Sequence, residues 1–190
     1  MSGRSGRALA KSEALICGSI TVSMNVQENI QFDQRAFRDA MGCFASAVTV
    51  ISTTTEDGKA VGTTVNSFNS VSLDPPLVLF CLGREATNYD HFMASGRFAV
   101  NILRQDQDHI SNGFASDGAN FFQTLEAETS SLGNPLIPDT LATFDCKIEA
   151  THDGGDHIIL IGRVNELRHD PDGDPLVYYR GRYSAVAAKS

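Results

Sequence analysis

The last third of the chain contains the pattern that most restricts its fold. Apolar and polar residues alternate from Ala142 to Thr151 and again from His157 to Leu167. The segment Asp153-Gly154-Gly155-Asp156 between them has the composition of a hairpin turn. Alternation with a period of two is typical of antiparallel strands that bury one face. Two shorter apolar runs follow, over Leu176–Tyr179 and Tyr183–Val186.

The preceding part of the chain alternates short strands with short helices. A helix is predicted to begin after Asp33, a good N-cap residue, because Phe37, Met41 and Phe44 follow at helical spacing. Other strands are predicted over residues 47–55, from 60 onward, 77–82 and 98–103, and other helices over 87–95 and 106–114, with Ile110 and Phe114 facing inward. Several antiparallel strands with helices confined to the connections predict a mainly β fold, a barrel that hides its edges by closing.

One stretch, Gly62 to Phe80, combines small, hydroxyl and amide residues with an apolar strand. Small residues such as Gly62 let the backbone approach a flat ligand closely, and hydroxyl and N–H groups then bind its polar edges. Taken alone, however, this stretch favours a hydroxyl-rich hairpin that ends in the turn Asp74-Pro75-Pro76.

Size and charge restrict the function. A chain of 190 residues suits one domain, which we expect over residues 31–190 after a disordered leader over residues 1–30. A net charge of −8 argues against nucleic-acid binding. The longest apolar runs fall short of the roughly 20 residues that cross a bilayer, so we expect a cytoplasmic protein without a membrane partner. The four cysteines are too scattered for a zinc or disulfide framework.

Several nucleotide and hydrolase motifs are missing from the sequence. There is no G-x-G-x-x-G after a strand, no Walker lysine motif and no G-x-S-x-G elbow. The cluster His152-Asp153-Gly-Gly-Asp156-His157 has the residue types to chelate a metal, but hairpin geometry splays such side chains, so we interpret it as a charged turn. His157 opens an apolar strand, either at the mouth of a pocket or in solvent at the strand end.

Four motifs in order resemble the short-chain flavin reductases, the reductase partners of two-component flavin-dependent monooxygenases. They are Phe37–Phe44 running into Val48–Ile51, Asn66–Leu77, Ser95–Leu103 and Asp153–His157, and the resemblance extends over about Phe32 to Val186. It implies a split β-barrel of the FMN-binding type and a homodimer.

The resemblance also implies a flavin site. Thr63, Thr64, Val65, Asn66 and Ser67 would line the isoalloxazine and ribityl chain, flanked by Ser72, Cys81 and Leu82. The phosphate would meet the Arg84–Asn88 segment, in which Arg84 stands where many members have lysine and Ala86 departs from a frequent serine. Phe114 belongs to a segment that often touches the flavin or its tail, while Asp156, His157 and Tyr183 would face the nicotinamide.

The implied activity is reduction of FMN or FAD by hydride from NADH or NADPH, with the reduced flavin supplied to a separate monooxygenase. The cofactors carry the hydride step, so positioning residues are expected, His157 above all. Three alternatives remain open from sequence: another acceptor such as a corrin cobalt or ferric iron, a flavin-binding protein without turnover, and a heme-binding split barrel.

Overall fold

The protein is described by a computed structural model over residues 33–118 and 120–187. The leader predicted over residues 1–30 lies outside the described residues. The helices are α1 Gln34–Met41, α2 Tyr89–Ser95 and α3 Asp108–Asp117, with a 3-10 helix over Phe121–Thr124. The strands are β1 Ser46–Ala47, β2 Thr49–Thr54, β3 Ala60–Val65, β4 Asn69–Leu73, β5 Pro76–Gly83, β6 Arg97–Ile102, β7 Glu128–Thr129, β8 Pro135–Leu136, β9 Ala142–Gly154, β10 His157–His169, β11 Val177–Tyr179 and β12 Arg182–Ser184.

A seven-stranded antiparallel sheet forms the frame, in the order β3-β2-β6-β9-β10-β5-β4. Its longest hairpin joins β9 to β10, where His157 pairs with Gly154 and His169 with Ala142. The alternating pattern of the last third therefore predicted these two strands correctly. Two small sheets, β1-β11-β12 and β7-β8, accompany the frame.

The inner face of the sheet encloses an apolar core. Its buried residues are Ile51, Val78, Phe80, Leu82, Phe92, Phe98, Val100, Cys146, Ile158 and Leu160. The ring of Phe80 packs edge-on against Phe98, with centroids 4.9 Å apart. Each fully buried side chain of this size contributes about 1.5–3 kcal/mol to the free energy of unfolding.

A second core lies where α3 and the 3-10 helix cover β2 and β3. Ile110 and Phe114 of α3 are buried as the sequence predicted, and Phe122 joins them. The ring of Phe114 is 4.7 Å from that of Phe122 and packs edge-on against it. This core occupies the outer face of β3, so a ligand has no access to that strand from this side.

Gly62 faces this second core, which supports the hairpin interpretation of its stretch over ligand contact at this residue. A Cβ atom at Gly62 would lie 2.9 Å from Cε1 of Phe114 and 3.0 Å from Cε2 of Phe122. The two aromatic rings, rather than a flat cofactor, therefore require glycine at this position.

The sheet ends in two open edges, β3 and β4, which are consecutive in the chain. The chain passes from one edge to the other through residues 66–68, and Ser67 holds this crossover against β5. The Ser67 hydroxyl accepts a hydrogen bond from the Cys81 N–H at 2.9 Å and donates to the Cys81 carbonyl at 3.2 Å. The barrel is closed by a crossover instead of a continuous ladder, which confirms the predicted split β-barrel.

Helix α1 begins as predicted, but its side chains are not buried as those of α2 and α3 partly are. The Asp33 side chain accepts a hydrogen bond from the Arg35 N–H at 3.0 Å, as an N-cap should. No α1 residue is buried, and Met41 and the following Phe44 are 55% and 65% exposed. No helix among the described residues is long and apolar enough to span a membrane.

We predict that Gly62→Ala destabilises the protein. The methyl group has to displace the rings of Phe114 and Phe122, and overpacking of this kind costs about 1–3 kcal/mol. Urea unfolding followed by circular dichroism measures the change. Gly83→Ala is the matched control, because its nearest neighbour would be 3.8 Å away, at Nε2 of His157. Equal stability of the Gly62→Ala variant and the native protein would contradict this account of the second core.

Candidate functional site

The crossover at residues 66–68 offers polar groups that the fold itself does not use. Asn66 is exposed, whereas Ser67 and Phe68 are half-buried. The N–H groups of Asn66, Ser67 and Phe68 donate to no backbone or side-chain acceptor within the described part of the chain. Three consecutive donors beside an apolar barrel suit the polar edge of a flat ring ligand.

The three β3 residues predicted to line the flavin differ in their surroundings. Thr63 pairs with Ile51, a residue of the barrel core, and so points towards the inner face. The hydroxyl of Thr64 points to the other face and donates to the Ser111 carbonyl of α3 at 2.8 Å. Val65 packs against the barrel core. The side chain of Thr64 therefore fastens β3 to α3.

Two of the three residues predicted to flank the ring, Cys81 and Leu82, lie on opposite faces of β5. Cys81 is half-buried on the outer face, whereas Leu82 is 2% exposed and packs inside the barrel. Only the backbone of Leu82 remains for ligand contact. Ser72 lies half-buried on β4, opposite Leu77 of β5.

His157 reaches the same outer face as Cys81. It pairs with Gly83 of β5, and Ile159, two residues later, pairs with Cys81. Because residues two apart on a strand share a face, His157 and Cys81 lie on one side of the sheet. The His157 side chain is 47% exposed, and its Nδ1 atom is 2.7 Å from Oδ1 of Asp156.

This hydrogen bond also affects the ionisation of the Asp156 carboxyl group. The His157 ring lowers the pKa of the Asp156 carboxyl from its ordinary value of 3.8. The carboxylate form is therefore favoured next to the ring.

Arg84 connects the end of β5 to the β9–β10 turn. Its guanidinium forms an ion pair with Asp153, and its Nε donates to the Gly155 carbonyl at 3.3 Å. Its Nη1 is 3.5 Å from the Tyr89 hydroxyl, and its backbone N–H donates to the Asp156 carbonyl at 3.0 Å. These contacts hold a cation beside the Asp156–His157 pair.

Two other predicted ligand residues have structural contacts. Asn88 is 4% exposed, and its Nδ2 donates to the Gly62 carbonyl at 2.8 Å, which fixes the start of α2 to β3. The Phe114 side chain is 3% exposed and packs in the second core.

Tyr183 contacts α3 instead of the Asp156–His157 pair with which it was predicted to act. Its hydroxyl oxygen is 2.9 Å from both Ser111 Oγ and Asn112 Oδ1. Since Thr64 also bonds to Ser111, Tyr183 and Thr64 belong to one cluster on α3.

The structure thus brings the predicted residues together in two groups. The first group combines the crossover with the end of β5 and the β9–β10 turn: Asn66, Ser67, Cys81, Arg84, Asp156 and His157. The second is the cluster of Thr64 and Tyr183 on Ser111. Sequence reasoning missed Ser111, Asp153 and Tyr89 as partners. Only Asp153 had a local signal, as a carboxylate in the turn that Arg84 reaches.

The charged turn is not arranged as a metal centre. Within residues 33–118 and 120–187, no three His, Cys, Asp or Glu side chains are placed to hold a metal ion. The Asp153 carboxylate is engaged by Arg84 and that of Asp156 by His157.

The hydrogen-bond donors of the first group, at the crossover and at Arg84, fit a flavin. The isoalloxazine ring has a polar pyrimidine edge with carbonyl oxygens and an apolar benzenoid edge. The N–H groups of residues 66–68 can serve the polar edge, and the outer face of β5 provides half-buried apolar surface. The Arg84 guanidinium can bind a phosphate group.

Comparison with known proteins identifies the family. Residues 41–187 match the family model of the flavin reductase-like domain. FMN reductase (NADH) SmoA of Agrobacterium fabrum is 44% identical over 151 residues, 80% of this chain and 85% of that protein. HsaB of Mycobacterium tuberculosis, the reductase subunit of a flavin-dependent monooxygenase, is 40% identical over 82% of this chain and 84% of its own.

A solved structure and a longer relative are also similar to this chain. Nitrilotriacetate monooxygenase component B of Mycobacterium thermoresistibile superposes with a TM-score of 0.78 at 43% identity, covering 82% of this chain and 87% of that one. A probable flavin reductase of Rhizobium meliloti is 42% identical, and the chain spans 49% of its length. The predicted enzyme class, an oxidoreductase that reduces flavin, is confirmed. With its split barrel and its match over residues 41–187, the chain belongs to the flavin reductase-like family.

Proposed function

We propose that this flavin reductase oxidises NADH or NADPH, reduces FMN or FAD, and delivers the reduced flavin to a separate monooxygenase. The similarity to SmoA and HsaB, whose names give these activities, supports the proposal. The observation that carries it is that Cys81 and His157 lie on the same outer face of the sheet. The N–H groups of residues 66–68, which find no acceptor in the described chain, lie next to Cys81.

The protein's contribution is positioning. The bound flavin supplies an electrophilic ring that accepts hydride from the reduced nicotinamide. The N–H groups of residues 66–68 would hold the polar edge of that ring and stabilise the negative charge that reduction adds. Arg84, already oriented by Asp153 and Gly155, would bind the terminal phosphate of FMN. Holding two rings in a reactive orientation accounts for a large share of such a rate acceleration.

His157 would orient the nicotinamide through its second ring nitrogen. The Asp156 carboxylate can only accept a hydrogen bond, so Nδ1 of His157 carries a proton towards it. In the neutral ring, Nε2 is then an acceptor, exposed on the outer face near Gly83. An acceptor at this place suits the carboxamide N–H of a nicotinamide.

A homodimer would cover the apolar groups that the single chain exposes. Leu73 is 95% and Val71 45% exposed on β4, which is an edge strand of the main sheet. Large apolar side chains on an unprotected edge mark an interaction surface.

The central test is NADH or NADPH oxidation, followed at 340 nm (the nicotinamide band), with FMN, FAD or riboflavin added in turn. We expect turnover that depends on added flavin.

His157→Ala should raise the nicotinamide KM about tenfold with little change in kcat, as loss of one positioning hydrogen bond does. His152→Ala, on the neighbouring strand β9, is the matched control. Loss of flavin affinity with an unchanged nicotinamide KM would disprove the role of His157, and flavin binding without turnover would leave a binding protein.

The Asp156–His157 contact predicts a lowered pKa of the Asp156 carboxyl, which an NMR titration can measure. Asp156 should titrate below 3.8 in the native protein, and its pKa should rise towards 3.8 in His157→Ala because the hydrogen bond to the carboxylate is gone. A lowered folded-state pKa means that the contact stabilises the fold above the ordinary pKa, and that this contribution is lost as pH falls through the folded value. His152→Ala should leave the Asp156 carboxyl shift unchanged. An identical Asp156 titration in His157→Ala and native protein would show that the contact does not form.

Light scattering after gel filtration tests the homodimer. One chain has a mass of 20.5 kDa, so a dimer has twice that mass, about 41 kDa. Leu73→Lys should raise the dimer dissociation constant at least tenfold, because it places a charge in an apolar contact. Leu167→Lys, at a 54% exposed position of β10, provides the comparison. A monomeric native protein would overturn the homodimer, and a Leu73→Lys variant that dimerises normally would exclude the β4 edge.

A further inference from the structure

A cavity of about 850 Å³ lies beside the crossover, between the end of α1 and the β11–β12 turn. The crossover and Asn69, the first residue of β4, form one wall. Met41, Phe44 and Tyr178 contribute apolar and aromatic surface. This volume is in the range of small-molecule sites, about 300–1,000 Å³. Two smaller cavities elsewhere on the described chain measure about 250 and 220 Å³.

The charged residues that line this cavity are mostly basic, although the protein as a whole is acidic. Arg38 and Arg180 line it, against a single lining carboxylate, Asp39. Neither arginine forms an ion pair with any described residue. The Arg180 guanidinium lies over the Tyr179 ring, 5.2 Å from its centroid, a contact that leaves its charge without an anionic partner among the described residues. The chain as a whole has a net charge of −8, so two guanidinium groups without such a partner in one cavity indicate an anionic ligand.

The backbone at Arg180 gives a second, independent indication. Arg180 and Gly181 form the two-residue turn between β11 and β12, with φ angles of 49° and 76°. Such turns favour Asn-Gly, because a residue with a longer side chain is strained at a positive φ. Strain of this kind is concentrated at functional sites. The position is fixed by the Arg180 N–H, which donates to the Gly42 carbonyl at 2.9 Å, so the turn and the end of α1 hold both arginines at one cavity.

We propose that Arg38 and Arg180 bind the diphosphate of a dinucleotide in this cavity. The assignment deepens the proposed function and depends on it for the identity of the dinucleotide. Guanidinium groups bind phosphate oxygens in pairs of hydrogen bonds, and two of them match the charge of a diphosphate. Phe44, 65% exposed on the cavity wall, offers a face on which an adenine can stack.

Two dinucleotides in the proposed reaction contain a diphosphate and an adenine: FAD and the hydride donor, NADH or NADPH. FMN contains the same ring as FAD but no diphosphate. Kinetics with FMN and NADH therefore report the nicotinamide dinucleotide alone, whereas the ratio of FAD to FMN efficiency reports the flavin tail.

Direct binding of ADP is the first experiment, because ADP has the diphosphate and adenine but neither reactive ring. Isothermal calorimetry compares the native protein with Arg38→Gln, Arg180→Asn and Arg182→Gln. Asn suits the left-handed turn position, so Arg180→Asn removes the charge without straining the fold. Arg182 is exposed, two residues away, and does not line the cavity, so Arg182→Gln controls for net charge. We expect the ADP Kd to rise at least fivefold, about the loss of one charge-assisted hydrogen bond, in the first two variants only.

Kinetics then assign the source of the diphosphate. If NADH supplies it, the NADH KM with FMN rises at least fivefold in Arg38→Gln and Arg180→Asn, and the FAD to FMN ratio is unchanged. If FAD supplies it, that ratio falls and the NADH KM is unchanged. ADP that binds native protein and both variants equally, or does not bind at all, would overturn the site. Normal ADP binding without turnover of any flavin would instead refute the proposed function and leave the anion site in place.

Discussion

The double hydrogen bond between the Ser67 hydroxyl and the Cys81 backbone is the constraint on which the split barrel depends. The edge strands β3 and β4 are consecutive in the chain but lie at opposite ends of the sheet, so the chain between them has to cross the opening. Ser67 occupies both backbone polar groups of Cys81 and thereby takes the place of a missing strand. The N–H groups of residues 66–68 find no acceptor among the residues that the structure describes, at the place where the barrel meets its surroundings. An exposed binding edge is thus a consequence of how the sheet closes.

The rest of the site follows from the two faces of the sheet. The outer face of β3 is covered by α3, through Phe114 and through the Thr64–Ser111 hydrogen bond, and cannot bind a ligand. The outer face of β5 is open near Cys81, and strand pairing places His157 beside it. Arg84 ties this face to the β9–β10 turn. Covered and open regions of the same sheet therefore separate the structural residues from those available for a cofactor.

Sequence reasoning succeeded where local rules decide the outcome. The β9–β10 hairpin follows from alternation and a glycine-rich turn, and the N-cap at Asp33 from its side-chain chemistry. It failed where distant residues meet. Nothing near Gly62 in the sequence shows that Phe114 and Phe122 fill the space above it, so its place in the second core could not be predicted. The cavity between α1 and the β11–β12 turn joins segments about 140 residues apart, so it was also inaccessible to pattern reasoning.

A crystal structure of the protein with bound flavin tests the central claim most directly. The account predicts that the isoalloxazine ring lies on the crossover, with its polar edge at the N–H groups of residues 66–68 and one face open towards His157. A ring bound elsewhere, with those N–H groups facing solvent, would contradict the account, even if the protein reduced flavin at a normal rate.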